Sequence, residues 1–211
     1  VHKIARKRWG EPRRLGALGQ AVMGLLGGAI PQPPVGVIDT GVDRGHPLLG
    51  TVAKVVNVTK GSQDDDIGHG SWVTSMVGNL AKWLRNLTHY KAFQDGSATL
   101  DDILRALTMA YEDGNIVISN SWGSDDGDPN SPDSELVVKL AEKGHIVVFA
   151  AGNSGPGPNT IGSPAIVHYK DAQTGAVRVV AVAAADRNKR IVSFSSRGPG
   201  SEKTKDSPGH P

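Results

Sequence analysis

From Val35 onward, short apolar runs alternate with amphipathic stretches. Val35-Gly36-Val37-Ile38 stops at Asp39-Thr40-Gly41, which predicts a strand running into a turn. Thr51 to Val58 and Thr88 to Phe93 predict two further strands. Between them Trp72, Val73, Met76, Val77, Leu80 and Leu84 recur at helical spacing, predicting a helix over about 70–84. Thr99-Leu100-Asp101-Asp102 pairs an N-cap residue with an acidic first turn. Ile103, Leu104, Leu107 and Tyr111 then mark the face of a helix that stops at Gly114. Asn115 to Asn120 predicts a strand. Ser131-Pro132, a cap followed by proline at the first helical position, opens a helix that ends at Gly144. His145 to Ala150 is a strand whose unbroken apolar run predicts burial on both faces. Val177 to Ala183 and Arg190 to Phe194 complete the set.

This alternation predicts an α/β fold, with a parallel β-sheet flanked by helices and right-handed crossovers. In such sheets sites form outside the carboxyl ends of the strands. The polar motifs fall there: Asp39 ends the first strand, Ser119-Asn120-Ser121 a middle one, and Gly152-Asn153 follows another. Composition adds exclusions. The 211 residues contain no cysteine, which removes disulfides, thiolate metal sites and cysteine nucleophiles together. Their 27 glycines and 13 prolines imply many tight turns and close backbone approaches. No run of about 20 apolar residues predicts a membrane-spanning helix.

Charge divides the chain more sharply than its net +2 suggests. Residues 1–14 carry six basic side chains against Glu11, while the remainder is mildly acidic. This basic arm reads as a solvated or processed terminus, the alternative being nucleic-acid or membrane contact. Leu15 to Ile30 is apolar and Gly-rich, like the core of a secretory leader, but Pro31-Gln32-Pro33-Pro34 follows it rather than a small-x-small cleavage site. It reads as a segment packed on the domain, with a leader as the alternative. The organisation is thus an arm and apolar segment over 1–34, a domain over 35–199, and a polar tail over 200–211.

Three residues stand out chemically. Aspartate at a strand end commonly forms a turn or caps a helix, so Asp39 alone says little. His69 lies between Gly68 and Gly70 at a helix start, where the glycines leave an imidazole uncrowded. Asn153, in Ala150-Ala151-Gly152-Asn153-Ser154-Gly155, either serves its own turn or points an amide outward as an oxyanion donor.

Taken together, the blocks Val35–Asp43, Gly68-His69-Gly70-Ser71, Ser119-Asn120-Ser121-Trp122-Gly123, Ala150–Gly155, Ser163-Pro164-Ala165 and Ser193–Pro199 resemble, in order and spacing, the subtilisin-like serine proteases, the subtilase family. The resemblance spans about four-fifths of the chain. It implies a three-layer α/β fold and a serine endopeptidase with an Asp-His-Ser triad. Asp39 would orient the imidazole, His69 would be the general base, and Asn153 would donate to the oxyanion. Ser121, Trp122 and Gly123 would pair with extended substrate backbone. Ala150, Ala151 and Gly152 would line the pocket for the residue before the scissile bond, with Asp95-Gly96-Ser97-Ala98 as an opposite wall. The resemblance also implies secretion and an extended peptide or protein substrate, with no nucleic acid, no membrane and no required cofactor. It admits a structural calcium ion; Asp64-Asp65-Asp66 offers oxygens of the right kind, though a solvated loop is the commoner reading. His46, in a matching segment, reads as structural.

One departure qualifies the resemblance. The family's nucleophile sits in a Gly-Thr-Ser-Met-Ala block opening a central helix, and no such block occurs in the 211 residues. Thr74-Ser75-Met76 comes nearest, but six residues along one helix from His69 means about 9 Å of rise and about 240° of rotation. Ser193, Ser195 and Ser196 belong to a block that is structural in the family. The expectation is a portion of a protease lacking the nucleophile helix, inactive alone, with a complementary C-terminal segment as a partner and apolar sheet surface left uncovered. The alternative is a non-catalytic relative that binds peptides or a partner.

Overall fold

The computed structural model describes residues 33–50, 52–80 and 86–198. The basic arm, the apolar segment over 15–30 and the tail over 200–211 lie outside the described residues. The chain divides into two compact units, one ending at Asp102 and the other beginning at Ile103.

The first unit holds strand β1 (Val35–Asp39), a short 3₁₀ turn (Pro47–Leu49), strand β2 (Val52–Asn57), helix α1 (His69–Leu80) and strand β3 (Leu87–Lys91). Strand β3 pairs in parallel with β1 on one side and β2 on the other. Every residue of β1 is buried, as a parallel strand covered on both faces requires. His46 caps the 3₁₀ turn by accepting the Leu48 amide on Nδ1 at 3.1 Å.

Helix α1 packs on β1 and β3. Its buried face is not the apolar stripe the spacing predicts. Ser71, Val73, Thr74, Ser75 and Gly78 are buried, while Trp72, Met76 and Val77 are only half-buried. The reason is proximity: a Cβ on Gly70 would run into the Gly41 carbonyl oxygen, so only small side chains fit where the helix meets β1. The predicted extension to residue 84 passes into 81–85, outside the described residues. Gly70→Ala is expected to force the helix start off β1, costing about 1–3 kcal/mol as an overpacking change. A shift in the urea midpoint measures it, and an unchanged midpoint would refute the close approach.

The second unit holds most of α2 (Leu100–Glu112), then β4 (Val117–Asn120), α3 (Pro132–Glu142), β5 (Ile146–Ala150) and β6 (Val179–Val182). Strand β5 pairs in parallel with β4 and with β6. Thr99 closes the start of α2 as its sequence predicts: Oγ1 accepts the Asp102 amide at 3.2 Å and donates to Asp102 Oδ2 at 2.7 Å. The seam of α2 runs through Ile103, Ala106, Leu107 and Ala110. Ala106 and Ala110 are buried where the spacing predicts Leu104 and Tyr111, which are only half-buried. Ser131 is the N-cap residue of α3, but its hydroxyl donates to Ser134 Oγ at 2.8 Å rather than capping a backbone amide.

Two strand predictions need correction. In β5, Val147 and Phe149 are buried while Ile146 and Val148 are half-buried, so its two faces are covered unequally despite the continuous apolar run. Residues 190–194 form no strand. Asp186 Oδ1 accepts the amides of Asn188 and Arg190 at 2.8 and 3.0 Å, folding the segment back into a single bridge between Ala185 and Ile191. In this unit Val182, Ile191 and Phe194 each leave about half of their surface open. The architecture is α/β, with parallel strands flanked by helices, as the alternating pattern predicts.

Candidate active site

Strand β1 delivers Asp39 to its carboxyl end, 2% exposed. The Thr40 amide donates to Asp39 Oδ1 at 2.7 Å. His69, the first residue of α1, places Nδ1 2.7 Å from the same oxygen. An ionised carboxylate only accepts, so Nδ1 carries the proton and donates it. Nε2 is left as the basic nitrogen of a ring that is 45% exposed. The Asp39 bond raises the His69 pKa above its ordinary 6.5 against the opposing effect of burial, and the charges of Asp39 and Asp65 push the same way. Asp39 Oδ2 is buried with no hydrogen-bond partner among the described residues. An unmet buried acceptor costs about 1–3 kcal/mol, so this carboxylate depends on the donors at Oδ1.

The start of α1 is fastened to the β1 turn by polar side chains. Thr40 Oγ1 accepts the Gly70 amide at 2.8 Å and donates to Asp65 Oδ1 at 2.8 Å. Asp65 also accepts the Gly68 amide at 2.8 Å and the Ser71 amide at 2.7 Å, a carboxylate set among the unpaired N–H groups of a helix start. Burial works against its ionised form, but the bonds from Ser71, Thr40 and Gly68 outweigh it and lower its pKa. Ser71 in turn accepts the Asp43 amide on its hydroxyl at 2.8 Å.

The acidic run that offers oxygens to a metal in the sequence surrounds an internal cation instead. Lys91, fully buried, donates from Nζ to Thr40 O at 2.9 Å, Asp64 O at 2.6 Å and Asp66 Oδ1 at 2.9 Å. Asp66 Oδ2 accepts Gln94 Nε2 at 2.9 Å and the Asp95 amide at 2.7 Å. Desolvation disfavours the Asp66 charge, yet the Lys91 and Asp95 bonds hold its carboxyl at about 2. With Asp65 and Asp66 committed to protein donors and an ammonium beside them, this run does not fit a bound metal ion. Among the described residues, no group of three or more His, Cys, Asp or Glu could hold one.

Sequence reasoning missed Lys91 and its neighbour His89, two residues earlier on the same face of β3. His89 is fully buried, and its Nε2 receives the Gly41 amide at 3.1 Å. The available signal was two ionisable residues at alternate positions inside an otherwise apolar strand.

In the second unit the other predicted residues also follow strand ends. Ser121, Trp122 and Gly123 come directly after β4, and the Trp122 ring meets Phe149 of β5 edge-on, centroids 5.2 Å apart. Ala150 ends β5, Ala151 is buried and Gly152 is half-buried. Gly152 has φ +107°, and a Cβ there would lie 2.7 Å from Ser196 Oγ, so the turn needs glycine on both counts. Asn153 is exposed. Three of the serines weighed as nucleophiles are engaged in hydrogen bonds. Ser75 donates to Trp72 O at 2.8 Å within α1. Ser195 and Ser196 are buried and accept the amides of Ala184 and Ser154, both at 3.0 Å.

A buried carboxylate at the end of a parallel strand thus holds an exposed imidazole with Nε2 free to accept a proton. Comparison with known proteins narrows the class. The family model described as "Subtilase family" matches residues 32–208, and the chain belongs to that family. It is similar to Subtilisin DY of Bacillus licheniformis, 35% identical over 176 residues, covering 78% of this chain and 60% of that protein. It is also similar to the thermophilic serine proteinase of Bacillus sp. (strain AK1), 34% identical over 178 residues, covering 78% of this chain and 41% of the relative. The chain therefore spans between two-fifths and three-fifths of these relatives. Among solved structures, the prenylagaramide maturation protease PagA superposes with a TM-score of 0.64 at 23% identity, covering 92% of this chain and 66% of that one, a likeness of fold. No helix among the described residues is long and apolar enough to cross a membrane.

Proposed function

We propose that these residues supply the proton-transfer machinery and the substrate cleft of a secreted subtilisin-like serine endopeptidase. The observation that supports it most directly is the 2.7 Å bond between His69 Nδ1 and Asp39 Oδ1, which leaves Nε2 basic and open. Nε2 takes the proton of a serine hydroxyl as that oxygen attacks the peptide carbonyl, then returns it to the departing amine. Asp39 holds the tautomer and stabilises the imidazolium formed in between. Asn153 donates to the oxyanion of the tetrahedral intermediate. Ser121, Trp122 and Gly123 pair with extended substrate backbone, and Ala150, Ala151 and Gly152 border the pocket beside the scissile bond. The attacking hydroxyl comes from a Gly-Thr-Ser-Met-Ala segment other than these 211 residues.

A fluorophosphonate probe tests the last point. The 211-residue chain is expected to remain unlabelled, and covalent capture of any of its serines would overturn the assignment. The base is tested by pH. Because the Asp39 bond raises the His69 pKa, hydrolysis by a form carrying the serine is expected to fall as pH drops through a value above 6.5. The same bond stabilises the folded chain below pH 6.5, and that contribution is lost as pH rises through the raised value. A rate independent of pH across this window would refute a His69 base.

A further inference from the structure

We propose that His89, held neutral and in a single tautomer, is a positioning residue for the Asp39–His69 pair. The inference rests on the functional reading above. His89 stands on β3 opposite Val37 of β1 and Val55 of β2, with no solvent exposure. A backbone amide can only donate, so the Gly41 N–H, 3.1 Å away, requires an unprotonated Nε2. The one proton of the neutral ring then lies on Nδ1 and donates to Thr74 Oγ1 at 2.9 Å. Gly41 belongs to the turn that carries Asp39, and Thr74 to the helix that carries His69. The ring therefore ties the two backbone segments whose separation sets the Asp39–His69 distance, and it touches neither side chain in doing so.

The surroundings keep the ring in this state. Burial is the largest influence and lowers its pKa to about 4; Asp39 on β1 and Asp65 before α1 pull the other way, and Lys91 on β3 pushes in the same direction as burial. A proton on Nε2 would face the Gly41 N–H head-on and break the tie. Around His69 the groups that matter are Asp39 and Asp65.

Imidazole ¹H–¹⁵N correlation spectra of the 211-residue chain test the proposal without any need for turnover. In the parent, His89 is expected to show a bare Nε2 and a protonated Nδ1 throughout the pH range in which His69 titrates. His89 carrying its proton on Nε2, or titrating together with His69, would overturn the proposal. In His89→Leu, which keeps bulk and removes both nitrogens, the His69 pKa is expected to fall back toward 6.5 and its low-field Nδ1 proton to be lost. His89→Gln, whose amide again offers an acceptor toward Gly41, is expected to restore both signals in part. If both variants lower the melting temperature while His69 titrates as in the parent, His89 is only structural and the proposal fails. Should His89→Leu not fold, Thr74→Val breaks the helix-side bond alone. It is expected to move the His69 pKa the same way by less, and no movement would again sink the idea. A parent chain with no low-field His69 proton at all would instead overturn the Asp39–His69 reading, and this inference with it.

Discussion

Replacing His69 by alanine is expected to slow peptide-bond hydrolysis by on the order of 10⁶-fold, in a polypeptide that joins these residues to a Gly-Thr-Ser-Met-Ala segment. The size follows from how the groups act together. Without an acceptor at Nε2 the serine hydroxyl attacks as a neutral, weak nucleophile. The amine then leaves without a proton, and no imidazolium forms for Asp39 to stabilise. Because the pair works as a unit, adding Asp39→Asn to His69→Ala is expected to change little further. Asp39→Asn alone is expected to cost about 10⁴-fold, since an amide NH₂ facing Nδ1 favours the wrong tautomer. Turnover of a chromogenic peptide measures both. A loss of less than tenfold in the His69 variant would remove His69 from the chemistry. Equal melting temperatures in parent and variants would separate that outcome from misfolding.

The largest stability effect is expected at a residue with no part in proton transfer. Lys91→Met is expected to reduce the unfolding free energy by about 3 kcal/mol or more. The methionine fills the volume but strands Thr40 O and Asp64 O without their donor and leaves the Asp66 carboxylate without its counter-charge. The pH dependence gives an independent check. The Asp66 carboxyl sits near 2 in the folded chain against an ordinary 3.8, so its contribution is present above pH 3.8 and lost as pH falls toward 2. In Lys91→Met that acid-sensitive component should shrink, because the bond that lowers the pKa is gone. Urea unfolding at neutral and acid pH supplies both numbers. An unaltered midpoint would mean that water replaces the ammonium at no cost.

What the sequence disclosed and what it concealed divide along one physical line. Strand β1 was legible because a parallel strand covered on both faces must be a continuous apolar run, and the first polar residue after it, Asp39, had to mark its carboxyl end. His69 drew notice because glycines on either side leave its ring uncrowded, and it gained a role only beside the other blocks of the family pattern. Apolar patterning carries no information about buried polar networks, however. Strand β3 was correctly placed, yet His89 and Lys91 within it seemed incidental until their partners came into contact from Thr40, Gly41, Asp64, Asp66 and Thr74. The same blindness misplaced the inner face of α1, where contact with β1 selects small polar residues over large apolar ones. At residues 190–194, local chemistry overrode propensity: the Asp186 carboxylate captures two amides and makes a turn of a segment rich in strand-forming residues.

The segment from Asp64 to Asp66 touches the Asp39 turn, the start of α1, the Lys91 ammonium and the Asp95 backbone within three consecutive residues. Lengthening or shortening it by even one position would detach several of these anchors together. Among descendants of this chain, insertions should therefore accumulate outside residues 64–66.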